Sequence, residues 1–209
     1  SISIPGVWFG DTGFSRKTAR AWNEYAANVK RDHPGRFGFF AVIAPPDIEG
    51  SLIEIDYALN VLKADGIALM SSYNGRFLGD PAFLPVLSEL NRRKAIVFVH
   101  PAAVGEETTP PGIRAHVLEG SFDTTRTIFS LIANGVLSTC PDIRFIFSHA
   151  GGTLPALTGR MIAQVNASAK AKQLLPNGPI PEMQKLFYDT ANAANPWALA
   201  PLLKLVSTS

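Results

Sequence analysis

With 209 residues, 46% apolar and 17% charged, the chain has the composition of one folded domain, which excludes a disordered, collagen-like or coiled-coil protein. Its 19 Lys and Arg against 17 Asp and Glu leave a net charge of +2, and the basic residues are scattered, so neither nucleic acid nor a membrane surface is expected as a partner. No apolar run reaches the roughly 20 residues of a bilayer span, no signal-peptide pattern opens the chain, and the single cysteine, Cys140, rules out an internal disulfide; a cytoplasmic protein with a packing cysteine is expected.

Short apolar runs alternate with amphipathic stretches along the chain. Trp22, Tyr25, Ala26 and Val29 recur at helical spacing within Ser15 to Asp32, and Pro34 with Gly35 stops that helix. Phe37 to Ala44 is a continuous apolar strand ended by two prolines. Leu52, Ile55, Leu59 and Leu62 line a second helix broken at Gly66, and Gly66 to Ser71 is again a strand. A third helix is expected over Pro81 to Arg93, a strand over Ala95 to Val99, a helix over Asp123 to Leu137, and a strand over Arg144 to Phe147. Thr153 to about Leu174 reads as helix, Leu186 to Tyr188 as a short strand, and Trp197 to Val206 as a final helix.

Apolar strands separated by helices imply a parallel sheet covered on both faces, either doubly wound or closed as a (β/α) barrel. The glycine fingerprints of nucleotide-binding doubly wound sheets are absent, which favours the barrel. Barrel chemistry is carried at strand ends, and here Ser71, Ser72, His100, His149 and Asp189 occupy such ends. His100 and His149 terminate apolar strands in matched positions, where a rigidly projected imidazole can ligate a divalent cation or move a proton. His33 at a helix end and His116 in a polar connection read as structural or solvent-facing. Asp123 reads as the N-cap of its helix, with Thr124 and Thr125 in the opening turn and Phe122 beside them as a possible pocket wall. Tyr73, Asn74 and Arg76 follow a strand at a functional position, within ordinary turn chemistry.

Taken together, FVHP from Phe98, SHAGG from Ser148, Gly159-Arg160 and YDTA from Tyr188 resemble the amidohydrolase superfamily. Within it the chain is most similar to the branch of aminocarboxymuconate semialdehyde decarboxylase and the aromatic acid decarboxylases; HPGRFGFF from His33, YNGRFLGDP from Tyr73 and FDTTR from Phe122 point to the 6-methylsalicylate decarboxylases. The resemblance implies a (β/α)8 TIM barrel with one divalent metal ion, zinc before manganese, at its C-terminal mouth. It implies His100 as a metal ligand and His149 as the histidine assisting chemistry. Arg160, Phe122 and Tyr73 are expected on the substrate side, Arg160 reaching a carboxylate in the neighbouring subunit of a homodimer or homotetramer. Asp189 is expected to orient ligands.

The chain departs from that pattern at both ends, lacking the two ligands of a first strand and the aspartate of an eighth. About six of eight strands are expected, Ser1 to Ile4 being the tail of the second, so the chain reads as a central fragment of a protein roughly half as long again. Three functions follow: a metal-dependent decarboxylase of a small aromatic or conjugated acid, a hydrolase of a lactone, ester or amide, or an inactive fragment that never completes a metal site.

Overall fold

The computed structural model describes residues 4–102 and 109–206. Asp11 caps the first helix, α1 (Thr12–Asp32), by accepting from the Phe14 amide, and Lys30 and Arg31 lie in its last turn, where the helix dipole favours cations. Then follow β1 (Phe40–Val42), α2 (Ile48–Asn60), β2 (Gly66–Met70), a hairpin of β3 (Ser72–Tyr73) and β4 (Arg76–Phe77), α3 (Leu84–Arg92) and β5 (Ile96–His100). The second half runs through α4 (Ala115–Ala133), α5 (Val136–Thr139), β6 (Arg144–Phe147), α6 (Leu154–Ala167), α7 (Ala169–Leu174), α8 (Ile180–Gln184), β7 (Phe187–Tyr188) and α9 (Pro196–Leu205).

β1, β2, β5, β6 and β7 form one sheet in that order, and every neighbouring pair is parallel. A parallel sheet built from consecutive βα units is an arc of a (β/α) barrel, and it gathers all C-terminal strand ends on one side. Among the described residues five of the six expected strands are present. The sixth fell on residues 1–4, of which 1–3 lie outside the described residues, and Ile4 stands in a turn.

Alternation along the strands divides the core. Ile67, Leu69, Val97, Val99, Phe145 and Phe147 are fully buried and pack with Ile55, Leu87, Leu90, Ile128 and Leu131 of the helices. The opposite face carries Phe40, Phe98 and Ile146, which are only half-buried, with the Phe40 and Phe98 rings stacked at 6.1 Å. Coverage is thus unequal on the two faces rather than complete on both.

Three expected helices are corrected. α4 begins at Ala115, eight residues before Asp123, because the stretch holding His116, Glu119, Gly120 and Ser121 is polar or small and masks its helical period. The single helix expected over 153–174 is two, divided at Ser168, whose extended backbone breaks the run and whose hydroxyl caps α7 through the Ala171 amide. α2 ends at Asn60, short of Gly66, which opens β2 as expected.

The outer edge of β1 is closed by a side chain. Buried Asn23 of α1 accepts from the Val42 amide at 2.8 Å and donates to the Val42 carbonyl at 2.9 Å, as a neighbouring strand would, while also donating to Glu54. Replacing it by alanine leaves both Val42 groups unpaired, so Asn23→Ala is expected to cost about 2–4 kcal/mol in urea unfolding. On the far side of α2, Glu89 accepts from Arg92 and Arg93 at 2.7 and 2.6 Å, and these guanidinium groups hold its carboxyl down at about 2. A carboxylate with a depressed folded pKa adds stability above its ordinary titration range and loses it as pH falls toward the folded value. Glu89→Gln is therefore expected to lower stability by about 1 kcal/mol at neutral pH, with the difference disappearing in unfolding curves taken near pH 2.

Candidate active site

Strand register decides which way His100 points. It pairs with Met70 across the β2–β5 ladder and lies two residues from Phe98, so its imidazole projects from the half-buried inner face at the C-terminal end of β5. Its Nδ1 lies 3.0 Å from the Pro101 carbonyl, which can only accept, so Nδ1 carries the proton and Nε2 keeps its lone pair. Burial pushes the His100 imidazole below its ordinary pKa, opposed by the bond to Pro101, and assisted by His149. The neutral form is thereby favoured.

The end of β5 is held by α4. Asp123, fully buried, accepts with Oδ2 from the Ser71 hydroxyl and from the Ala102 amide, the latter at 2.8 Å, while the Ser71 amide donates to the His100 carbonyl at 2.8 Å. One helix carboxylate thus ties the ends of β2 and β5 together on both sides of His100. Asp123 is not an N-cap, since α4 starts two turns earlier and places it in the helix interior. Thr127, one turn on, continues the contact by donating to the Ser71 carbonyl at 2.8 Å.

His149 stands on a strained turn. His149, Ala150, Gly151 and Gly152 have φ of 57°, 56°, 75° and 67°, and two of these left-handed residues bear a Cβ. Asp189 secures the turn, its Oδ1 accepting from the His149 amide and its carbonyl from the Ala150 amide, both at 2.8 Å. Gly152 is required here, because a Cβ at that position would overlap the Ser121 backbone carbonyl of α4. The His100 and His149 rings meet edge to face with centroids 5.7 Å apart.

Both histidines line a cavity of about 480 Å³, a volume suited to a small ligand. α4 contributes His116, Val117 and Gly120 to its wall, and the segment after β7 contributes Asn192 and Ala198. His116, Gly120 and Asn192 were not singled out from the sequence as site residues; read from Ala115, the i, i+4 spacing of His116 and Gly120 sets them on one helix face. His116 therefore faces the cavity from α4 rather than lying in a connection.

Asp189 lies beside the pair but acts on His149 through the backbone. Tyr73 is not brought to the cavity: it is buried against Phe83, its hydroxyl accepts from the Met70 amide at 2.9 Å, and burial raises its pKa. Phe122 and Arg160 do not line the cavity; Phe122 lies under the Arg126 guanidinium, and Arg160 is exposed on α6. Cys140 is buried and burial raises its thiol pKa, as packing requires.

A divalent cation takes three or four protein ligands in most stable sites. Among the described residues no cluster of three or more His, Cys, Asp or Glu is placed to hold one. No complete metal centre stands in the described part of the chain.

The amidohydrolase family model matches residues 6–207. The chain belongs to the amidohydrolase family. Among its relatives, Decarboxylase yanB of Aspergillus niger is 36% identical over 207 residues, covering 93% of this chain and 56% of that protein. The 6-methylsalicylic acid decarboxylase of Penicillium expansum is 31% identical, covering 99% and 65%. The chain therefore spans between about half and two thirds of these relatives' length. The 5-carboxyvanillate decarboxylase of Novosphingobium aromaticivorans, solved with manganese and a nitrobenzoic acid, superposes with a TM-score of 0.87 at 20% identity, covering 98% of this chain and 61% of that one. That likeness establishes the fold as the amidohydrolase TIM barrel. No helix among the described residues is long and apolar enough to cross a membrane.

Asp189→Ala removes the carboxylate that accepts from the His149 and Ala191 amides while the bond from the Ala150 amide to the residue 189 carbonyl survives, so it is expected to destabilise the protein by about 1–2 kcal/mol. The accompanying NMR signature is a displaced His149 ring resonance with that of His33, at the far end of α1, unmoved.

Proposed function

We propose that this amidohydrolase is a non-oxidative decarboxylase of a small aromatic carboxylic acid such as a salicylate. The observation that carries the reading is the convergence of the His100 and His149 imidazoles, from adjacent strand ends, on one cavity of ligand size. Decarboxylase relatives at 36% and 31% identity support the choice of reaction over hydrolysis.

In such a reaction the bond from the ring to the carboxylate carbon breaks, its electron pair stays on the ring carbon, CO2 leaves, and a proton takes the vacated position. Negative charge must be held while that proton is delivered. A divalent cation, when bound, would supply charge stabilisation at the substrate oxygens. We assign zinc, with manganese as the alternative, and His100 as the ligand this segment contributes; Nε2 is its free donor atom. A full set of ligands does not stand among the described residues.

His149 is assigned to proton movement at the reacting carbon, since the Asp189-secured turn fixes its backbone and leaves the ring facing the cavity. His100 lines the same cavity, with Nδ1 turned to the Pro101 carbonyl. Val117 and Ala198 offer apolar surface to the ring, and Asn192 a polar contact. Arg160, with its planar, permanent charge, is assigned to a substrate carboxylate of a neighbouring subunit, in a homodimer or homotetramer, and the protein to the cytoplasm.

Incubation with 6-methylsalicylic acid and related ring acids, with CO2 as readout, tests the function. Release of CO2 is expected, and His149→Ala is expected to lower kcat about 100-fold or more. Turnover of a lactone or ester with no CO2 from any aromatic acid would replace this reading with a hydrolase.

A further inference from the structure

Gly120 lies in the interior of α4, where glycine is the poorest helix former after proline. The ordinary structural reasons for a glycine do not apply to it. Its φ is not positive, and among the described residues a Cβ built there would meet only Pro101 Cγ, at 3.8 Å, an ordinary van der Waals contact. Gly152 makes the contrast, with a left-handed backbone and no room for a Cβ. Gly120 is nonetheless buried, and it lines the cavity one turn after His116, beside the wall that carries His100 and Pro101. An alanine would fit the helix and strengthen it; what it would take up is space inside the cavity.

We infer that Gly120 is a specificity-determining residue: its bare backbone forms the wall against which a substituent on the ring of the aromatic acid packs. The inference rests on the aromatic-acid reading above and narrows it, from ring acids in general to acids whose ring carries a small apolar group such as a methyl. A side chain at position 120 competes for the volume of that group, so the substituted acid loses more affinity than its unsubstituted counterpart. One methyl in an apolar pocket discriminates by tenfold or more in other proteins, which sets the size of the effect to look for.

Calorimetric binding of 6-methylsalicylic acid and of salicylic acid to the protein and to Gly120→Ala, paired with thermal melting, decides it. The expected result is a variant that melts about 2 °C higher, binds 6-methylsalicylic acid about tenfold more weakly, and binds salicylic acid nearly as before. Greater stability with lost selectivity separates a site role from a structural one, because a glycine of merely structural importance would move the two quantities together or leave binding alone. If Gly120→Ala melts higher and binds both acids with the parent's affinities, the inference is overturned while the aromatic-acid reading stands. If the parent protein binds neither acid, the aromatic-acid reading falls and this inference with it.

Discussion

A single buried carboxylate holds the candidate site in register. Among the described residues Asp123 has no cation beside it and its Oδ1 is buried without a donor, an arrangement that costs free energy. In exchange its Oδ2 joins Ser71 at the end of β2 to Ala102 just beyond β5, and the Ser71 amide reaches the His100 carbonyl. The direction of His100, the edge-to-face approach of His149, and the shape of the cavity all depend on these strand ends staying together. α4 is therefore more than a covering helix: its buried polar face grips the sheet, and the next face round forms the cavity wall.

The same helix reaches the second histidine. Thr125 accepts from the Thr153 amide at 2.8 Å, next to the left-handed turn that carries His149, and Gly152 allows the close approach of α4 that this bond needs. Asp189 holds the turn from the other side. His149 is thus held through its own backbone amide, and its ring meets that of His100 at the cavity. A turn under conformational strain, secured by several hydrogen bonds, is a common way to present one side chain precisely.

Much of the architecture was legible in the residues. Phe40–Val42, Gly66–Met70, Ile96–His100, Arg144–Phe147 and Phe187–Tyr188 lie within or beside the apolar runs that mark them, because one face of each central strand packs on the helices and the other is at least partly covered. His100 and His149 stood out for the same reason, as ionisable residues placed where such a run stops. The helix around Asp123 was harder to see. Periodicity detects an apolar stripe against a core, and the opening of α4 turns its side chains toward a cavity instead, so His116 and Gly120 read as a polar connection.

What the sequence determined by itself was the order and type of the βα units, the family they belong to, and the two strand-terminal histidines, all of which follow from local pattern and motif. Tertiary structure alone decided that Asp123 binds two strand ends rather than capping a helix, that Tyr73 belongs to the core, and that His116, Gly120 and Asn192 share a cavity with the histidine pair. Those facts arise from contacts between residues far apart in the chain, formed once a parallel sheet brings its C-terminal ends to one side, and no local period records them.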